Sequence, residues 1–419
     1  MKPSRPMPTL LPSVSTSAAA SVEHHLRPGT LQLGALPPLS LYVHLPWCLR
    51  KCPYCDFNSH ESKEAPPEAQ YLDALRADLD AALPLVWGRR IGSVFIGGGT
   101  PSLFAPESID RLLADVRARL PLAPACEITL EANPGTFERE RFRAFAAAGV
   151  TRLSIGVQSF DDDSLRAIGR VHDAAQAHAA VQEAAEAFDT FNIDLMYALP
   201  GQTLPALERD LQQAMSYAPP HLSIYHLTLE PNTWFARHPP ALPDDDAASD
   251  MLDLIVERTA ASGLQRYEVS AFAQPGHRSR HNLNYWQFGD YLGIGAGAHG
   301  KISFPHRVLR QVRWREPAAY MQHALAGAAV SNEEEVPRAQ LPFEYMLGAL
   351  RLREGFALRQ FGERTGLPPS AVQAALAHAQ ARGLVEREGQ GDDERVWPSA
   401  RGFDFLSDLQ ALFLPKPAR

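Results

Sequence analysis

Six short β-type runs alternate with six helical stretches over the first two-thirds of the chain, and this alternation restricts the fold more than any other feature. The runs are Leu41–Leu45, Ser93–Ile96, Glu127–Glu131, Arg152–Val157, Asn192–Tyr197 and His221–Leu227. Between or after them lie Ala69–Leu83, Glu107–Leu120, Phe137–Ala148, Ala174–Phe188, Leu204–Ser216 and Ala247–Ala261. Turn or capping residues precede several of these helices: Pro106, Thr136, Asp173, Thr203 and Asp246. Repeated βα units predict an α/β fold, a parallel sheet with right-handed crossovers. Six units fall short of an eight-stranded barrel, so an open, three-quarter barrel is the natural closure. On pattern alone, a doubly wound sheet stays open.

The flanks read differently. Residues 1–38 are rich in Pro, Ser and Ala without periodicity, which predicts a mobile, disordered N-terminal tail. Lys2 and Arg5 with no acidic residue before Glu23 leave a transit segment open, but Pro3, Pro6, Pro8 and Pro12 break any apolar signal region. The barrel with its extension is expected over 39–300, a connector over 301–340, and a second unit over 341–419. In that last unit, helices followed by a charged hairpin outline a winged-helix-like α+β domain. It carries ten Lys and Arg against ten Asp and Glu, so no basic face is expected. Over the whole chain, 40 basic against 48 acidic residues give a net charge of −8. Nucleic acid is therefore not an expected partner. No apolar run reaches the roughly 18 residues of a transmembrane helix. The cytoplasm is the expected location.

Chemistry concentrates in one place. Three of the four cysteines, Cys48, Cys52 and Cys55, lie in a loop directly after the first strand, and Cys126 stands apart. A Cys-x3-Cys-x2-Cys loop can hold three irons of a 4Fe–4S cluster and leave the fourth without a protein ligand, open to a small molecule. Zinc completed by His44 or His60 is the competing reading, although structural zinc sites usually pair ligands from two separated knuckles. The glycines Gly97–Gly99, after the second strand, allow close backbone approach to a ligand. Glu131, Gln158 and Asp194 fall at or near the ends of later strands, with Arg170 in a following turn, where barrel sites are built.

This spacing resembles that of the radical S-adenosylmethionine (SAM) superfamily, whose fold is a partial (β/α)6 barrel. From about Ser40 onward the chain resembles the oxygen-independent coproporphyrinogen III oxidase family. The matching words are YVHLPWC, GGGTPS (Gly97–Ser102), LEANPG (Leu130–Gly135), SIGVQSF (Ser154–Phe160), GRVH (Gly169–His172), NIDLMYALPGQT (Asn192–Thr203) and HLSIYHLTLEP (His221–Pro231). The resemblance implies a 4Fe–4S cluster on Cys48, Cys52 and Cys55, with SAM on its open iron. It further implies that Tyr42, Gly98 and Glu131 contact that SAM. Gly99, Thr100, Gln158, Arg170 and Asp194 would line a neighbouring ligand site, which holds a second SAM in the oxidase.

One departure matters. The oxidase pattern continues with a fourth cysteine needed for activity, and here that position is Phe57. A phenyl ring can neither donate, accept nor shuttle a proton, so no catalytic residue is assigned. The word His281-Asn-x-x-Tyr285-Trp286 resembles instead the heme-chaperone branch of the same family. That implies heme as cargo, apo-heme proteins as recipients, and His281 as the candidate heme ligand, with Tyr285 and Trp286 stacking on the porphyrin. His226, His277 and His299 are its rivals. Peripheral contact with membrane-bound recipients and a radical SAM oxidoreductase acting on a porphyrinogen both stay open.

Overall fold

The computed structural model describes residues 29–62, 64–135 and 138–415. The expected strands form and pair in parallel: β1 (Leu39–Leu45), β2 (Ile91–Gly98), β3 (Leu122–Ala132), β4 (Arg152–Gln158), β5 (Phe191–Tyr197) and β6 (His221–His226). Most are buried on both faces, and β1 and β5 are buried at six of their seven positions, the pattern of strands covered by helices on one side and packed inward on the other. β7 (Gln265–Arg266) and β8 (Ala271–Ala273) add an antiparallel edge beyond β6.

A seventh parallel strand, β9 (Asp290–Ile294), lies against the other side of β1. Only five residues long, it gave no sequence signal of its own. It is followed by β10 (His299–Phe304), β11 (Arg307–Arg313) and β12 (Val330–Glu335), paired antiparallel. Among the described residues the sheet thus has twelve strands in the order β12-β11-β10-β9-β1-β2-β3-β4-β5-β6-β8-β7. The stretch 301–340, expected to be a connector, instead extends the barrel sheet. Of its strands, β12 carries no sequence signal because it is exposed and strongly acidic, without an alternating apolar face.

Helices α1 (Glu68–Ala82), α2 (Pro106–Arg119), α3 (Glu138–Ala148), α4 (Ala174–Ala187), α5 (Leu204–Ser216) and α6 (Asp245–Ala261) cover the outside. Asp173 caps α4 in a reciprocal box with Gln176, and Thr203 caps α5. Two caps differ from expectation. Asp244, not Asp246, accepts the Ala247 N–H, so α6 starts earlier, and Pro106 is the first residue of α2 rather than its cap. Thr136 lies outside the described residues.

The C-terminal unit has its own core of Tyr345, Phe361, Leu376, Val396 and Leu409. Its small sheet, Phe356–Ala357, Arg395–Pro398 and Val385–Glu388, with helices Leu358–Thr365 and Ser370–Ala381, gives the winged-helix outline. Most of the expected tail, 1–28, lies outside the described residues. Its end does not stay free: Leu31 and Leu33 are buried, and their N–H groups donate to His306 and Pro305 carbonyls.

Candidate metal centre and cofactor cavities

β1 ends at Leu45, and the chain turns into a loop closed by a two-residue parallel bridge between Trp47–Cys48 and His60–Glu61. Trp47 pins this loop to the barrel, edge-on to Tyr71 with ring centres 4.7 Å apart. Cys48, Cys52 and Cys55 are free and partly buried, and all three line one cavity of about 360 Å³ at the C-terminal mouth of the barrel. Each thiol has a polar neighbour. Thr100 Oγ1 donates to Cys48 Sγ at 3.5 Å, Arg170 Nη1 to Cys52 Sγ at 3.6 Å, and Ser59 Oγ lies 3.7 Å from Cys55 Sγ. Burial pushes the Cys48 and Cys55 thiols above their usual range, a cost that a bound metal removes by stabilising the thiolates. Cys126 sits on β3 outside that lining, its thiol raised to about 11 by burial and then by Glu127.

The donor set fits a three-thiolate cluster better than a four-coordinate zinc. Both ring nitrogens of His44 are engaged, Nδ1 with the Tyr42 hydroxyl at 2.9 Å and Nε2 with the Asn58 carbonyl at 3.0 Å. Among the described residues no three His, Cys, Asp or Glu side chains converge tightly enough for a single ion. A cluster needs its thiolates spread over three irons.

The glycine turn is shaped by contact. Gly98 has φ +116°, and a Cβ there would lie 2.5 Å from the His44 ring; at Gly99 it would lie 2.5 Å from the Trp47 carbonyl. The Gly98 N–H donates to Glu131 Oε2 at 3.0 Å. Burial, and next Asp194, push the Glu131 carboxyl up to about 7. Asp194 accepts from Asn192 Nδ2 at 2.8 Å and Ser154 Oγ at 3.1 Å, and burial raises its carboxyl too. Arg170 is braced by the Asn133 side chain and the Gly156 carbonyl, each at 2.6 Å. Gly98, Gly99, Thr100, Glu131, Gln158, Arg170 and Asp194 therefore share the cavity with the cysteines. Asn133, which braces both Arg170 and Thr100, had not been singled out, although it lies inside the LEANPG word.

Tyr42 faces a second cavity of about 390 Å³, which shares Gly98, Glu131, Asp56 and Phe57 with the first. Its far wall holds Tyr285, Tyr291, His299 and Arg315. His281 is not brought to either cavity. It is 1% exposed, its Nδ1 3.0 Å from Ser93 Oγ, stacked on Phe95 at 5.0 Å and edge-on to Tyr285 at 4.9 Å. Its Nε2 is buried without a partner, and burial lowers the ring to about 3, so it is neutral. Trp286 points elsewhere, beneath the Arg351 guanidinium at 4.2 Å. Of the rivals, His277 bonds Thr190 at 3.0 Å, while His226 is at the first cavity and His299 at the second.

Residues 42–214 match the Radical SAM superfamily and 345–396 the MarR family. The heme chaperone HemW of Haemophilus influenzae is 46% identical, covering 90% of this chain and 98% of that protein. HemW of Escherichia coli is also 46% identical, covering 90% and 99%, and that of Bacillus subtilis 35%, covering 78% and 87%. Among solved structures, the coproporphyrinogen III oxidase HemN of Escherichia coli, a radical SAM enzyme, superposes with a TM-score of 0.77 at 25% identity over 90% of both chains. Identity of this level along nearly the whole length, on a partial barrel with three cysteines at its mouth, places the chain in the HemW family of radical SAM proteins.

Proposed function

We infer that this chain is a heme chaperone: it binds heme beside a SAM-liganded 4Fe–4S cluster and passes the heme to apo-proteins. The 46% identity to HemW chaperones over nine-tenths of the chain carries this reading. Cys48, Cys52 and Cys55 hold the cluster, and Tyr42, Gly98 and Glu131 receive the SAM. When bound, a cluster of this kind supplies one-electron chemistry to its SAM. The chain's own residues do the positioning. Thr100 and Arg170 brace two of the thiols, Gly98 opens space for the ligand, and Glu131 offers a carboxylate to it. Gly99, Gln158 and Asp194 complete the neighbouring wall. The recipients are apo-heme proteins in the cytoplasm, some reached by peripheral membrane contact; no helix among the described residues is long and apolar enough to cross a membrane. Nucleic acid has no part in this reading. The exposed face of Ser370–Ala381, with Ala371, Ala374, Ala377 and His378, offers no Lys or Arg. The division at 39–300, 301–340 and 341–419 is kept as a functional one, with the strands of the middle segment bracing the barrel.

Likeness to HemN favours one alternative, an oxidoreductase acting on a porphyrinogen. Phe57 argues against it: the ring is 60% exposed where the two cavities meet and offers no proton donor or acceptor. Incubated anaerobically with reductant, SAM and coproporphyrinogen, the cluster-loaded protein should form no protoporphyrinogen. Measurable product by chromatography would overturn the chaperone-only reading. Phe57→Cys should not restore turnover, since a lone thiol does not rebuild a substrate site.

Glu131 gives a second test. A cationic ligand is held better by the carboxylate than by the acid, so SAM affinity should rise as pH passes up through about 7. Glu131→Gln should weaken SAM binding about tenfold at pH 8 and flatten this rise, as expected for loss of a charge-assisted contact. Calorimetry on cluster-loaded protein at pH 6 and 8 measures both. Equal affinity and slope in the two proteins would remove Glu131 from the SAM site.

A further inference from the structure

We propose that Tyr267, His221 and Asn192 form a one-way hydrogen-bond chain that fixes the Asp194 carboxylate as an acceptor facing the first cavity, which makes His221 a positioning residue for the ligand bound there. The ligand group such a wall takes is a donor, a hydroxyl or an ammonium. This rests on the reading of Asp194 as part of the ligand wall. Strand pairing brings the members together. Ser154 on β4, Asn192 on β5 and His221 on β6 are direct partners across three strands, and Asp194 lies two residues nearer the mouth on the same face of β5. The interior of a parallel barrel is ordinarily filled by branched apolar side chains. Here Asn192, His221 and Tyr267 are all buried, and polar groups in that setting cost stability unless each has a partner.

The direction of the chain follows from its end. An ionised carboxylate only accepts, so Asn192 turns its Nδ2 toward Asp194 Oδ1, at 2.8 Å. The same Nδ2 donates to Ser154 Oγ at 2.7 Å, and that hydroxyl donates to Asp194 Oδ2 at 3.1 Å. Asn192 Oδ1 is left facing His221 Nδ1 at 2.7 Å, so Nδ1 carries the ring proton, and Ser223 donates to the same oxygen at 3.0 Å. His221 Nε2 then accepts from the Tyr267 hydroxyl at 2.9 Å, whose oxygen accepts the Ser279 N–H at 3.3 Å. Burial, then Arg152 and His277, hold the His221 ring well below its usual range, so it stays neutral with one donor and one acceptor.

The far end of the chain is held from outside the barrel. Arg353 N–H, in the C-terminal unit, donates to the Tyr267 carbonyl at 3.0 Å, and the Arg278 guanidinium lies 5.3 Å from the Tyr267 ring centre. Ser279 is the N-cap of the helix Arg280–Trp286, so the chain also meets the segment that carries His281 and Tyr285. At the near end, each Asp194 oxygen has accepted one bond and keeps a lone pair for a ligand donor. Burial raises the Asp194 carboxyl, and the bonds from Asn192 and Ser154 oppose it. The other titratable groups that act on it are Glu131 from β3, Arg152 from β4 and Tyr225 from β6.

The test is a pH titration of the Asp194 carboxyl by difference infrared spectroscopy on cluster-loaded protein, with Asp194→Asn as the subtraction that identifies its band. His221→Leu should raise the Asp194 titration by about one pH unit, the tenfold change expected when support for a charge-assisted bond is lost. Tyr267→Phe should move it the same way by less, since His221 Nδ1 still reaches Asn192. His221→Asn should restore the native titration, because an amide N–H then stands where the Nδ1–H did. Equilibrium dialysis with SAM beyond one equivalent reads the wall itself: Asp194→Asn and His221→Leu should each weaken this further binding about tenfold, and His221→Asn should not. Iron and sulfide content should match native protein throughout, separating a local effect from misfolding. An unchanged Asp194 titration in His221→Leu, or an equal shift in His221→Asn, would overturn the chain and leave the wall standing. No further SAM uptake by native protein, or native uptake in Asp194→Asn, would bring down the reading of the wall and the proposal with it.

Discussion

Alanine at Cys48, Cys52 or Cys55 should abolish the cluster, while Cys126→Ala should leave it intact. Anaerobically reconstituted native protein is expected to hold about four irons and show the broad visible absorbance of thiolate-bound iron–sulfur. The loop offers one thiol per iron: His44 is committed through both nitrogens, and His60 and Cys126 lie outside the lining of the cavity. Removing any one thiolate leaves a second iron without a protein ligand, and such a cluster should be lost on desalting. Iron and sulfide assays on the four variants decide this. Loss in Cys126→Ala alone, with the loop variants retaining iron, would reassign the ligands. SAM binding should fall with the cluster in the loop variants, because the open iron is the anchor for the ligand's charged end. The fold should persist, since the loop is held by Trp47, Tyr71 and the Asn58 bonds independently of the thiols.

Asp290→Ala should have the largest effect on stability, about 3–5 kcal/mol, the range for removing one partner of a buried ion pair. Asp290 opens β9 and is fully buried. Its Oδ1 pairs with Lys301 Nζ at 2.8 Å and its Oδ2 with Arg89 Nη2 at 2.8 Å. Ser303 adds its N–H to Oδ2 at 2.9 Å and its hydroxyl to Oδ1 at 2.7 Å. The variant leaves Lys301, itself 2% exposed, as a buried cation without its counter-charge. Burial alone would raise the Asp290 pKa, but Lys301 and Arg89 outweigh it and hold the carboxyl below its usual range. A depressed folded-state pKa confers stability above the unfolded value, about 3.9, that is lost as pH falls through the folded one. The deficit of the variant should therefore be full at pH 7 and shrink in acid below about pH 4. Denaturant unfolding at the two pH values measures it, and a loss under about 1 kcal/mol at pH 7 would show that the network is dispensable.

The βα alternation, the cysteine loop and the strand-end residues could be read from the chain because each is local. Strands buried on both faces announce themselves as apolar runs, amphipathic helices by period, and a three-thiol loop by spacing alone. The matching words other than GRVH, which follows a short helix after β4, run into or out of strand ends, and a parallel barrel sends every such end to the same mouth. Chain order was therefore enough to gather Gly98, Glu131, Arg170 and Asp194 around Cys48, Cys52 and Cys55. What tertiary structure alone decided is non-local. β9 has five residues and is stabilised by β1, some 250 positions earlier, and by the Asp290 network rather than by its own pattern. Sequence spacing grouped His281, Tyr285 and Trp286 as one heme-binding word. A helical turn instead sends the three side chains to different places: His281 beneath Phe95, Tyr285 into the second cavity and Trp286 under Arg351. His299 and Arg315 joined Tyr285 only when the antiparallel turn from β9 into β10 folded back across the cavity. Local period and spacing determine which elements form and which ends they expose; pairing between distant strands determines which side chains then meet.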